Sequence, residues 1–174
     1  MARPHWLILL VAFLTSLGAL AGCRAAPAAS ANGVATVDEV TDGDTIQVSI
    51  GGHQEAVRFL GIDTPETHHP TKPVQCYGAE ASARTADLLP VGSRVKLVRD
   101  VEARDRYDRL LAYVYRAEDD LFVNLSLVTE GYADTLAIDP NDAHTVELSA
   151  ARNQARAAGA GLWSTCGGPG VPVG

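Results

Sequence analysis

Three β patterns follow one another with only two tight turns between them, and few architectures tolerate that spacing. Residues 34–40, 45–50 and 55–62 are rich in Val, Ile, Thr and Phe. Asp42-Gly43-Asp44 separates the first two, with Gly43 available for a positive φ, and Gly51-Gly52 separates the second from the third. Connections this short join antiparallel neighbours, so the three strands predict a meander, as an antiparallel sheet or a small barrel.

The third pattern ends in polar groups: Arg58-Phe59-Leu60-Gly61-Ile62-Asp63-Thr64-Pro65-Glu66-Thr67. Thr64-Pro65 breaks the strand, and Pro65 biases Thr64 toward an extended backbone. A rigid turn therefore holds Asp63 and Glu66 at a strand end, with Arg58 shortly before them. Rigid carboxylates beside a guanidinium suit a hard metal ion and a phosphate ester. The same residue types are ordinary turn formers, so the stretch taken alone equally describes a solvated turn.

Downstream, residues 67–75 form an irregular loop with His68 and His69. Adjacent side chains seldom share one ion, so a solvated loop is expected there. Alanines predict a helix over 77–89, stopped by Pro90-Val91-Gly92. Residues 94–98 and 110–115 read as a fourth and a fifth strand. A short amphipathic helix over 121–130 places Leu121, Leu125 and Val128 on one face, and Gly131 stops it. A longer helix over 141–158 has Val146, Leu148 and several alanines as its buried side, and Leu162 and Trp163 should pack back on the core. The order β-β-β-α-β-β-α-α predicts an α+β, mainly β fold: a five-stranded OB-type barrel with three helices.

Residues 1–22 read as an export signal, with Arg3 ahead of an apolar core. Leu20-Ala21-Gly22-Cys23 resembles a bacterial lipobox, which implies cleavage before Cys23 and acylation of its thiol. Cleavage near Ala26 or Ala29, or an uncleaved anchor, are the competing readings. Residues 23–33 read as a flexible tether, 34–166 as the folded domain and 167–174 as a disordered tail. The chain of 174 residues carries a net charge of −7, and removing residues 1–22 leaves the remainder at −8. An acidic domain is a poor passive binder of nucleic acid. If it handles phosphates, a local basic pocket is expected, with a metal offsetting the carboxylates.

Three stretches together carry a resemblance. Asp42-Gly43-Asp44-Thr45 opens the second strand, Arg58 to Thr67 ends the third, and Asp105-Arg106-Tyr107-Asp108-Arg109-Leu110-Leu111-Ala112-Tyr113 leads into the fifth. With Tyr77-Gly78-Ala79-Glu80-Ala81-Ser82 and Gly161-Leu162-Trp163-Ser164, the chain resembles the staphylococcal nuclease (thermonuclease) family over about residues 37–163. The resemblance implies Ca²⁺ ligation by Asp44, Asp63 and the backbone carbonyl of Thr64, with Asp42 near the ion but not bound to it. It implies Glu66 as general base toward water, Arg58 and Arg109 as the grip on the scissile phosphate, and Arg106 and Tyr107 as contacts to a terminal phosphate. Calcium wants hard oxygens in a permissive geometry, and guanidiniums match phosphate, so the residue chemistry agrees. Either arginine changed to alanine is expected to abolish most turnover while the domain stays folded.

The chain also departs from the family. Asp108 stands where the family often has Gly; its carboxylate either partly neutralises Arg109 or points to solvent. The loop over 131–144 is one residue shorter than in the best-known members and lacks their base-stacking Tyr, with Ala137 and Ile138 in that region. Base stacking is worth roughly 1–3 kcal/mol, so weaker nucleotide binding is expected. Secreted relatives often have a Cys before Tyr-Gly and another after the last Trp, which implies a Cys76–Cys166 disulfide, against two free thiols.

The resemblance implies an exported, membrane-anchored or secreted, calcium-dependent endonuclease, working as a monomer on DNA and RNA. It would cleave the 5′-P–O bond, leave 3′-phosphates and prefer single strands, because a barrel groove must admit the strand. The alternative is a non-catalytic OB-fold module that binds nucleic acid or protein. Retention of Asp44, Asp63, Glu66, Arg58 and Arg109 together argues against it.

Overall fold

The computed structural model describes residues 33–67 and 73–173. Cys23, the export segment, most of the tether, and His68 and His69 lie outside the described residues. Strands β1 (Gly33–Asp42), β2 (Thr45–Ile50), β3 (His53–Phe59), β5 (Arg94–Val98) and β6 (Leu110–Arg116) close into a barrel in the order β1-β2-β3-β6-β5. All pairings are antiparallel except β3 with β6, where Arg58 lies opposite Leu111 in parallel register. Val37, Ile46, Val48, Val57, Phe59, Leu97 and Val114 are fully buried or nearly so and form the core. The expected OB-type architecture is the one observed.

The third strand is shorter than expected. It ends at Phe59, and Gly61, at φ 77°, turns the chain away from the barrel. The left-handed backbone at Gly61 disfavours any side chain, and a Cβ there would also sit 2.5 Å from Leu148 Cδ1, which would have to move aside. The chain then forms β4 (Ile62–Asp63), which pairs with β7 (Asp134–Thr135) as a separate two-stranded ribbon. Asp63 therefore stands on the ribbon and Arg58 on the barrel wall.

Four helices are formed among the described residues: α1 (Gly78–Leu88), α2 (Val123–Thr129), α3 (Thr145–Ala158) and α4 (Leu162–Thr165). The buried side of α2 is Val123, Asn124, Leu127 and Val128, while Leu121 and Leu125 are only half-buried. Asn124 is buried with both amide ends satisfied: Oδ1 accepts the Val114 N–H at 2.9 Å and Nδ2 donates to Leu60 O at 2.8 Å. Helix α3 begins after Asn141, not at it. Asn141 is buried and its Oδ1 accepts the Glu102 N–H at 2.8 Å, so it ties a loop instead of opening the helix. Val146 is 86% exposed, whereas Leu148, Ala151 and Ala155 form the buried side. Two positions from Leu148 is nearly halfway round a helix, so Val146 cannot share its face. Leu162 is fully buried and Trp163 half-buried, as expected. No helix is long and apolar enough to cross a membrane among the described residues.

The C-terminal segment, expected to be disordered, is paired. The Cys76 N–H donates to Val171 O at 2.7 Å, the Val173 N–H donates to Val74 O at 3.0 Å, and Gln75 and Pro172 form an antiparallel bridge. A Cys76–Cys166 disulfide brings the two stretches together. The tail lacks apolar bulk, but the backbone around Gln75 gives its amides and carbonyls partners.

Candidate active site

The end of the barrel where β2 begins and β3 ends carries a buried ion pair. Arg58, at the second-last position of β3, donates from Nη1 to Phe59 O and Ile62 O, each at 2.9 Å, and from Nη2 to Asp63 Oδ1 at 2.8 Å. The same Nη1 lies 3.2 Å from Asp44 Oδ2, with both side chains under a tenth exposed. One guanidinium thus spans the barrel carboxylate and the ribbon carboxylate. Asp44 is held further by the Thr64 N–H to Oδ2 at 2.9 Å and the Thr45 hydroxyl to Oδ1 at 3.1 Å.

Gly43 matters here, though not for a positive φ as expected. Its φ is not positive; what it supplies is close approach. A Cβ there would come within 2.7 Å of Thr64 Oγ1 and 2.9 Å of Thr64 Cβ. The carbonyl of Gly43 accepts the Thr85 hydroxyl at 2.6 Å, and Asp42 Oδ1 accepts the Gly43 N–H, the Thr67 hydroxyl and the Ser82 hydroxyl at 2.8, 3.1 and 3.1 Å. Asp42 therefore fastens the β1–β2 turn to α1 and to the Glu66 turn, in keeping with a residue near an ion but not on it.

Arg109 enters from the loop before β6. Asp105 holds it: Oδ1 accepts the Tyr107 and Arg109 N–H groups at 2.9 and 3.0 Å, and Oδ2 accepts Arg109 Nε at 2.7 Å. Burial works against charge on Asp105, but the hydrogen bonds from Arg109 and Tyr107 win and hold its carboxyl below the ordinary range. Neither terminal nitrogen of Arg109 makes a hydrogen bond among the described residues, so its fork is left to an external anion. Tyr107 is exposed, Arg106 donates from Nη2 to its hydroxyl at 2.6 Å, and the Arg109 guanidinium lies 5.5 Å from its ring centre. Asp108 does not neutralise Arg109. It sits at φ 66°, its side chain faces solvent 3.5 Å from Arg104, and its carbonyl accepts Arg104 Nη1 at 2.6 Å. The left-handed backbone explains why Gly suits this position, and Asp is among the residues that tolerate it.

Every catalytic, metal-site and substrate-binding residue expected from the sequence lines one cleft of about 600 Å³: Asp42, Asp44, Arg58, Asp63, Thr64, Glu66, Arg106, Tyr107 and Arg109. Thr45, Asp105, Leu136 and Ile138 complete its wall. The expected basic pocket is corrected in one respect, because five carboxylates face three guanidiniums there, an excess of two negative charges. One divalent cation would balance that excess. Among the described residues no three His, Cys, Asp or Glu side chains cluster as a metal cage. The fitting donors are the carboxylates of Asp44 and Asp63 and the Thr64 carbonyl, all hard oxygens, with solvent completing the shell. The buried Thr64 Oγ1 has no hydrogen-bond partner among the described residues, an orphaned oxygen beside that donor set.

The family model described as "Staphylococcal nuclease homologue" matches residues 56–165. The chain belongs to the staphylococcal nuclease family. It is 41% identical over 127 residues to the thermonuclease of Staphylococcus intermedius, covering 73% of this chain and 74% of that protein. It is 40% identical over 128 residues to the thermonuclease of Staphylococcus hyicus, covering 74% of each chain. It is also 38% identical over 133 residues to the SPbeta prophage-derived endonuclease YokF of Bacillus subtilis (strain 168), covering 76% of this chain but 44% of that longer protein. As a member of the family, the chain is a nuclease, a hydrolase acting on nucleic acid.

Some residues that shape this staphylococcal-nuclease cleft were not singled out from the sequence. Asp105 was named as the start of a motif; its spacing to Tyr107 and Arg109 is that of an Asx turn, which was the available signal. Thr85 and Ser82 lie on α1 far along the chain, and no local pattern announces that they reach the β1–β2 turn.

Proposed function

We propose that this nuclease is a calcium-dependent endonuclease that hydrolyses phosphodiester bonds of DNA and RNA at the 5′-P–O bond. The observation that carries the reading is the convergence of Arg58, Arg109, Asp44, Asp63 and Glu66 on one cleft. Water oxygen bonds to phosphorus, its proton passes to the Glu66 carboxylate, and the P–O5′ bond breaks with its electron pair on the leaving oxygen. The leaving oxygen takes a proton from solvent, so a 3′-phosphate and a 5′-hydroxyl result. Charge grows on the phosphoryl oxygens during attack, and the open fork of Arg109 is placed to take it bidentately, with Arg58 beside it. Asp44, Asp63 and the Thr64 carbonyl would hold Ca²⁺, which when bound supplies Lewis-acid stabilisation of the same charge. Arg106 and Tyr107 at the cleft edge bind a neighbouring phosphate. An open groove beside a barrel favours single strands. The disulfide supports export to an oxidising compartment, where a Cys23 lipid anchor would hold a monomeric domain at the membrane.

The deciding experiment is hydrolysis of denatured DNA by the domain from Val34 onward, with Ca²⁺, with Mg²⁺ and with EGTA, beside Glu66→Ala. Calcium-dependent cleavage into 3′-phosphate ends, lost in the variant, is expected. Equal activity with EGTA, or in Glu66→Ala, would overturn the reading. For the anchor, fatty-acid labelling that survives Cys23→Ala would exclude lipidation at that thiol.

A further inference from the structure

We infer that Gln75 is a positioning residue for Glu66, and that the C-terminal segment is what holds Gln75 in place. The inference rests on reading Glu66 as the base. Glu66 sits on the turn after Pro65, and Gln75 follows nine positions later in the chain. The two residues grip each other twice. The Glu66 N–H donates to Gln75 Oε1 at 3.0 Å, and the Gln75 N–H donates to Glu66 O at 2.9 Å. This two-point clamp fixes both faces of the Glu66 peptide, leaving its carboxylate on the cleft wall.

Gln75 is fixed in turn from its other side. Its neighbours Val74 and Cys76 pair with Val173 and Val171, at 3.0 and 2.7 Å, and Gln75 bridges Pro172. The disulfide to Cys166 sits one residue away. Cys76 also precedes the opening of α1, whose Ser82 reaches Asp42 in the site. Pro169 and Gly170 of the same segment share a cleft of about 300 Å³ with Asp63, Thr64 and Gln75, so the tail reaches the metal-binding ribbon. A base must lie within hydrogen-bond reach of the water it deprotonates, and a displacement of about 1 Å can cost on the order of 10²-fold in rate. The tail thus belongs to the catalytic geometry, though it touches no reacting atom.

The test uses Gln75→Ala, Gln75→Glu and a chain ending at Gly167, compared with wild type and Glu66→Ala in steady-state hydrolysis of denatured DNA. Gln75→Ala should lower kcat by about 10–100-fold with KM changed little. Gln75→Glu keeps an oxygen acceptor at the same reach and should recover most of that loss. The chain ending at Gly167 keeps the disulfide, loses the Val171 and Val173 pairings, and should lower kcat in the same sense. Hydrogen exchange of the Glu66 amide gives a readout independent of turnover: protection should fall in Gln75→Ala and persist in Gln75→Glu. A Gln75→Ala enzyme with wild-type kcat, or an equal loss in KM and kcat, or an unchanged Glu66 amide would overturn the inference. If Glu66→Ala is itself active, the assignment of the base fails; if only Gln75→Ala is active, the positioning role fails and the base stands.

Discussion

Arg58 and Arg109 line the same cleft but are anchored in opposite ways, and the difference sets what each substitution costs. Arg58 is buried and engages two carbonyls and two carboxylates. Arg58→Ala leaves the buried Asp44 carboxylate without its cation, a loss of about 3–5 kcal/mol. A variant expected to stay folded should therefore do so with a reduced margin, and urea unfolding should show the deficit. Arg109 is held by Asp105 through Nε alone, with its fork open to the cleft. Arg109→Ala should lose on the order of 10²–10³ in turnover with a midpoint of unfolding close to wild type. A second prediction concerns Asp105. Its carboxyl is held below the ordinary value of 3.8, so its contribution to stability is fully present above that value and is lost as pH falls through the lower folded value. The stability difference between wild type and Asp105→Asn, measured by urea unfolding, should be constant at neutral pH. It should shrink only below about pH 4 and vanish at stronger acid. A difference that instead closes between pH 5 and 8 would show that another group is responsible.

At the scale of elements, the site exists because the β1–β2 turn and the β4 ribbon touch at Gly43 and Thr64. Gly43→Ala places a methyl under 3 Å from three Thr64 side-chain atoms. Overpacking of this kind typically costs about 1–3 kcal/mol, and here relief requires moving Thr64 with its carbonyl. The variant should unfold at lower urea and need more Ca²⁺ for half-maximal cleavage; unchanged values for both would mean that the turn can shift without disturbing the site. The strands were legible because alternation and short turns act locally, and so were Asp63, Thr64 and Glu66, which share one turn. What escaped was set at a distance. The break at Gly61 lies against Leu148, a residue of α3 far along the chain. Asn141 was read as helical because its role is to bind Glu102, far from it in sequence. Asn124 was not singled out on α2, yet it closes the barrel end by bonding Val114 and Leu60. Gly43 was noticed, but its reason, the neighbour across the cleft, is a tertiary fact.

Across the whole molecule, one covalent link joins the loop beside the site to the last helix. Cys76 and Cys166 are 90 residues apart, and the segment between them contains α1, β5, β6, α2, β7, α3 and α4. In the chain-entropy account, closing a loop of that length removes about 4–5 kcal/mol of freedom from the unfolded state. Domains of this size have a total stability of roughly 5–15 kcal/mol, so the link is a large share of it. Neither cysteine belongs to the barrel core, so that core is expected to form without the disulfide. The Cys76→Ser, Cys166→Ser double variant should therefore fold but unfold at much lower urea, with the loss appearing mainly in the midpoint. Ligands that bind only the folded state add stability that grows with the logarithm of their concentration above Kd, so Ca²⁺ with a nucleotide should restore part of the loss. Equal midpoints for the oxidised protein and the variant would mean that the unfolded chain is already compact enough for the link to constrain nothing.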